Sequence, residues 1–132
     1  MRKMQITFLV PVMFAFAIGC ASSPKAVVIS DYKMSAIHDD FPVPEQAVER
    51  EATFGNPNIA KGVTYELENI GGEQGLYPPA SYLEQIKASG WTEIEEERLG
   101  HVHFFRKDDT KIALEIREDS IDVYELKQVD AP

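Results

Sequence analysis

The clearest regularity lies in the second half of the chain. In GVTYELENI, from Gly62, apolar side chains recur at every second position as Val63, Tyr65 and Leu67. That period puts them on one face of an extended backbone and predicts a half-buried β-strand. GGEQGLYPP, residues 71–79, is rich in turn formers and predicts a flexible connection. The spacing then changes. In PPASYLEQIKASG, Tyr82, Leu83 and Ile86 form a helical stripe, Pro79 suits a first turn and Gly90 suits a stop. Four strand-like runs follow, WTEIEE, HVHFFR, KIALEIR and IDVYELK, joined by ERLG, KDDT and EDS. Connections this short make antiparallel hairpins. The expected order is β-α-β-β-β-β, an α+β domain with one helix packed on an antiparallel sheet of about five strands. Trp91, Phe104, Tyr65, Tyr124 and Leu114 are its expected core.

The first half is less regular. FPVPEQA, residues 41–47, is held extended by its two prolines. Val48 to Phe54 alternates weakly and is open to a strand or, after Pro44, a helix; GNPN, residues 55–58, is a turn. Upstream of Phe41, residues 21–40 read as a tether. If flexible, it spans about 25 Å. Within it, Ala26-Val27-Val28-Ile29 is apolar enough to form a short strand docked on the domain.

The front of the chain has a different character. Arg2 and Lys3 precede a run from Ile6 to Ile18, ITFLVPVMFAFAI, that carries no charge. A membrane-spanning helix needs about 20 apolar residues, and Pro11 would kink one this short. A positive start, a short apolar middle and small residues at its end predict a secretory signal peptide over residues 1–19. The run ends at Ala17-Ile18-Gly19-Cys20, which holds the only cysteine. This tetrapeptide resembles the lipobox of bacterial lipoproteins. The resemblance implies diacylglycerol on the Cys20 sulfur, cleavage before Cys20 and further acylation of the new amino group. A single acyl chain binds a membrane marginally, whereas two or more hold durably. A thioether-linked Cys20 leaves no thiol for a disulfide, thiol catalysis or a cysteine-ligated zinc site.

These boundaries divide the chain into 1–19, signal peptide; 20–40, acylated cysteine and tether; and 41–132, a single α+β domain. From about Phe41 to Lys127, through FPVP, NPNIAKGVTYEL, YLEQIKASGW and HVHFF, that domain is similar to small uncharacterised lipoproteins of Gram-positive bacteria. That resemblance implies the outer leaflet of a single membrane. Ala21 after the cysteine would also permit outer-membrane sorting in a Gram-negative cell.

Charge narrows the partners. The chain has 13 basic and 22 acidic side chains, net −9; a product starting at Cys20 loses Arg2 and Lys3 and no acid, which brings it to −11. Such a field disfavours nucleic acid, whose phosphates need clustered Lys and Arg, and anionic headgroups. It suits a solvated surface, a cationic or envelope-protein partner, or divalent ions.

The sharpest candidate chemistry is His101-Val102-His103. Alternate strand residues share a face, so two imidazoles could ligate one divalent transition metal, with Glu115 as third ligand. Two hairpin registers are open. With Phe105 opposite Ile112, His103 faces Leu114, His101 faces Ile116, and both histidines lie on the apolar face. With Phe104 opposite Leu114, His103 faces Glu115 and His101 faces Arg117. The second gathers Val102, Phe104, Ile112, Leu114 and Ile116 on one face, and Asp108-Asp109 lacks the glycine that a tight hairpin prefers. It is therefore the expected register, with both histidines exposed.

Glu93, Glu95, Glu96 and Glu97, with Asp108, Asp109, Glu118, Asp119 and Asp122, are expected to be solvated edges that discourage strand-to-strand aggregation. His38 is expected to be solvated in the tether. No catalytic residue is singled out: nucleophile elbows, zinc-protease helices and phosphate loops are missing from the sequence. The expected function is a membrane-tethered extracytoplasmic lipoprotein acting as a non-enzymatic binding or accessory module. The alternative is a metal-binding lipoprotein using the His-x-His strand. A small hydrolase would need carboxylates facing each other across a cleft.

Overall fold

The computed structural model describes residues 27–128; the apolar leader, Cys20 and the neighbouring residues up to Ala26 lie outside them. The described chain is α+β. Three short strands come first, β1 (Tyr32–Met34), β2 (Pro42–Pro44) and β3 (Val48–Arg50), then the long β4 (Ile59–Glu66). Helix α1 (Ala80–Ala88) follows, and then β5 (Thr92–Glu93), β6 (Val102–Lys107), β7 (Thr110–Ile116) and β8 (Ser120–Leu126). β1 and β2 form a two-stranded sheet, and the rest form a six-stranded sheet in the order β3-β4-β8-β7-β6-β5.

That order follows from the connections. Helix α1 carries the chain from β4 to the far edge, and the hairpin-linked β6, β7 and β8 then walk back until β8 lies antiparallel beside β4. The expected helix and the five strands β4 to β8 are present, but the count and order differ from expectation. β3 adds an edge strand to the main sheet, and β1–β2 adds a separate hairpin. β5 shrinks to two residues because Glu95–Glu97 turn into a single 3-10 turn.

One face of the sheet holds the core. Tyr65, Phe105, Ile112, Leu114, Ile116, Ile121 and Val123 point there, against Tyr82 and Ile86 from α1 and Phe41 and Val43 from the N-terminal segment. Tyr82 Oη donates to the Pro42 carbonyl at 3.0 Å, and Trp91 Nε1 donates to the Asp40 carbonyl at 2.9 Å. Each aromatic thereby buries its ring while its polar atom keeps a partner. These bonds bring the segment before Phe41 into the fold. β1 pairs with β2, Ile37 is buried, and Val27 and Ile29 pack against the core. The packed body therefore starts well inside the stretch expected to be tether. His38 is half-buried, with its ring edge-on to Trp91 at 5.1 Å.

The β6–β7 register is the one not expected. Phe105 lies opposite Ile112, His103 opposite Leu114 and Val102 opposite Glu115. Phe105 is fully buried, while Phe104 and Tyr124, expected in the core, lie half-buried on the other face. The physical reason is the turn. Lys107 pairs with Thr110, so Asp108 and Asp109 alone close the hairpin, and Asp108 takes φ 52. Aspartate tolerates that left-handed conformation better than most residues, so the absence of glycine did not forbid a two-residue turn.

GGEQG is likewise packed. Gly71, Gly72 and Gly75 are buried, Gly71 N donates to the Glu118 carbonyl at 3.1 Å, and Tyr77 N donates to the Gly71 carbonyl at 2.7 Å.

Candidate functional site

The observed register turns His103 inward and surrounds it with groups from three other segments. β5 runs antiparallel to β6 with Glu93 opposite Phe105. The chain then turns through Glu95–Glu97 and returns Arg98 toward Glu93. The Glu93 side chain is 3% exposed and receives three cationic or protic partners. His103 Nδ1 lies 3.0 Å from Oε1, Arg98 donates to the same oxygen through Nε and Nη2, and Lys87 Nζ from α1 lies 3.6 Å from Oε2. Burial pushes this carboxyl up. The hydrogen bonds and charges of His103 and Arg98 push it down more strongly, and it titrates below the ordinary glutamate value. Glu93 was expected on a solvated edge. It is instead a buried carboxylate held by ion pairs. A signal for this existed in the sequence, because Glu93 is two residues from Trp91 and shares its inward face.

The tautomers follow from the acceptors. An ionised carboxylate can only accept, so His103 Nδ1 carries the proton. His101 Nδ1 lies 3.1 Å from the Gly75 carbonyl and donates to it for the same reason. In the neutral rings both Nε2 atoms are then lone-pair acceptors. His103 is 6% exposed, and Glu93 is the hydrogen-bond partner of its ring. No buried side-chain nitrogen or oxygen among the described residues lacks a partner, so His103 Nε2 reaches accessible space. His103 also borders a small cavity of about 320 Å³, which it shares with Gly75, Arg98, His101 and Ile116.

Glu115, the expected third ligand, lies elsewhere. It stands opposite Val102 and Asp122, on the face turned away from His103, and pairs with Arg117 Nη2 at 3.3 Å. Among the described residues no three His, Cys, Asp or Glu side chains cluster as metal ligands. The structure therefore brings His101 and His103 to one cavity and separates both from Glu115. Sequence reasoning did not reach Gly75 or Glu93 as their partners.

The outer face of the sheet carries the other notable surface. Phe54 packs against Tyr124 at 5.4 Å between ring centroids, over Gly62. Lys111 Nζ sits 5.2 Å from the centre of the Phe104 ring and pairs with Glu97. Phe104, Lys111 and Tyr124, with Val102, Arg106 and Leu126, border an open concavity of about 730 Å³. Farther along the same face Thr64 Oγ1 donates to Asp122 Oδ1 at 2.5 Å, and Arg117 Nη2 lies 3.4 Å from Asp122 Oδ2. Asp122, expected in a solvated turn, is buried within β8 with these two partners.

Comparison with family models, with curated proteins and with solved structures returns no match. Among the described residues no helix is long and apolar enough to cross a membrane.

Proposed function

We propose that this protein is a lipid-anchored, extracytoplasmic binding or accessory module that does no chemistry of its own. One observation carries the reading: a charge-free run behind Arg2 and Lys3 ends at Gly19-Cys20, the only cysteine in the chain. Leader removal at that point would leave the thiol at the new amino terminus, where two or more acyl chains would hold it in a leaflet. The fold is compatible with this arrangement. The packed body begins near Val27, so only a few residues separate it from Cys20 and the domain would ride close to the membrane. Its net charge of −11 after cleavage favours a cationic partner, such as a basic patch on another envelope protein, over nucleic acid or anionic lipid. The buried carboxylates, Glu93 and Asp122, are held in hydrogen bonds and ion pairs, an arrangement that suits structural roles better than proton transfer.

The test is fractionation with a single substitution. In the native host, the full chain should sediment with membranes, and Cys20→Ser should release the protein or leave it with an uncleaved leader. Equal membrane partition of both proteins with the leader removed from both would overturn the anchor. Crosslinking of the anchored protein in intact cells should recover a basic envelope partner; crosslinking only to itself would count against the binding role.

A further inference from the structure

We propose that His101 and His103 form a two-imidazole site for a divalent transition-metal ion, zinc or copper, at the mouth of the cavity beside Gly75 and Ile116. This inference is independent of the lipid anchor. Three observations support it. First, both rings border the same cavity of about 320 Å³, from alternate positions on one face of β6 and its lead-in. Alternate strand residues stand about 6.6 Å apart along the backbone, close enough for the two side chains to reach one ion with metal–nitrogen bonds of about 2.0–2.1 Å.

Second, each ring is already set in the ligating tautomer. His101 gives its Nδ1 proton to the Gly75 carbonyl, and His103 gives its own to Glu93. A carbonyl or carboxylate behind the far nitrogen is the usual support of a metal-bound histidine, because it fixes ring orientation and raises the basicity of Nε2. Glu93 is in turn fixed by Arg98 and Lys87, so the His103 ring has little freedom to rotate.

Third, His103 is more than nine-tenths buried and borders this cavity, and its one hydrogen bond runs from Nδ1 to Glu93, which leaves Nε2 without a protein partner. No fully buried side-chain nitrogen or oxygen among the described residues lacks a partner, so this nitrogen keeps access to solvent and to an incoming ion. Imidazole nitrogen selects zinc or copper over the hard cations calcium and magnesium, which prefer oxygen. The protein supplies two ligands, so water or an exogenous donor completes the shell. Glu115, on the other face, takes no part. The negative charge of the whole molecule favours cation approach, and the nearby Arg98 charge is neutralised by Glu93.

The experiment uses the full chain in detergent, with zinc chloride alone as the probe. Wild type should show a zinc-dependent rise in melting temperature, and the Nε2 resonances of both histidines should shift in ¹⁵N-labelled protein. His101→Ala changes an exposed residue and is expected to fold; it should lose the zinc-dependent rise. Cys20 and His38 are present in both proteins, so binding at either one would survive in the variant and is thereby separated. A wild type that ignores zinc, or a His101→Ala variant that responds equally, would overturn the proposal. So would zinc-dependent shifts confined to His38.

Discussion

Glu93 shows how one residue links three elements. It joins β5 to β6 through His103, to the following turn through Arg98, and to α1 through Lys87. A buried carboxylate in this position is stabilising only while its partners stay in place. Glu93→Ala would leave the His103 N–H and the Arg98 guanidinium without their acceptor, at a cost of about 1–3 kcal/mol by urea unfolding. The carboxyl titrates below its unfolded value, so its contribution is present above that value and is lost as the pH falls through the lower folded value. Acid unfolding should therefore steepen through that window in wild type and be shallower in Glu93→Gln. An identical acid limb in the two proteins would contradict the arrangement. The sequence contained the clue in Trp91 and Glu93 at spacing two, but the run of glutamates around it read as solvent-facing. Charge alone does not reveal a partner ten positions away, and His103 is that far along the chain.

At the scale of elements, the helix and the strands β4 to β8 were legible because each is a short run rich in apolar residues bounded by turn formers. The β6–β7 register was not. β7 declares its inner face with Ile112, Leu114 and Ile116, but β6 offers apolar residues to both sides, Val102 and Phe104 on one and Phe105 on the other. Only the turn decides, and the turn depends on one backbone angle at Asp108. A β-branched residue there would disfavour the left-handed conformation, so Asp108→Val should cost about 1–2 kcal/mol in thermal or urea unfolding. The strand-to-helix loop makes a second prediction. A Cβ on Gly71 would run into the Arg117 carbonyl, whereas one on Gly55 meets open space. Gly71→Ala should destabilise by about 1–3 kcal/mol, and Gly55→Ala should be neutral or slightly stabilising. Equal effects would mean that GGEQG is the loose connection its composition suggests. The hairpin β1–β2 escaped the sequence reading for a different reason. Three-residue strands carry too little period to detect, and this pair is held by contacts with Trp91, Tyr82 and Phe105, distant in the chain.

For the whole molecule, the proposed anchor is local in the sequence, whereas the histidine cavity exists only once the chain has folded. Nothing along the chain announces that Gly75 would meet His101 or that Glu93 would meet His103, because those meetings depend on how the helix crossover and the hairpins return across the sheet. The proposed anchor is the opposite case: its signal is local to the sequence around Cys20. Intact-mass spectrometry of the protein taken from the membrane fraction of its own cells decides whether Cys20 is the acylated amino terminus. The expected product is a chain that begins at Cys20 and carries diacylglycerol on that sulfur. A product with a bare thiol, or one that retains residues 1–19, would contradict it.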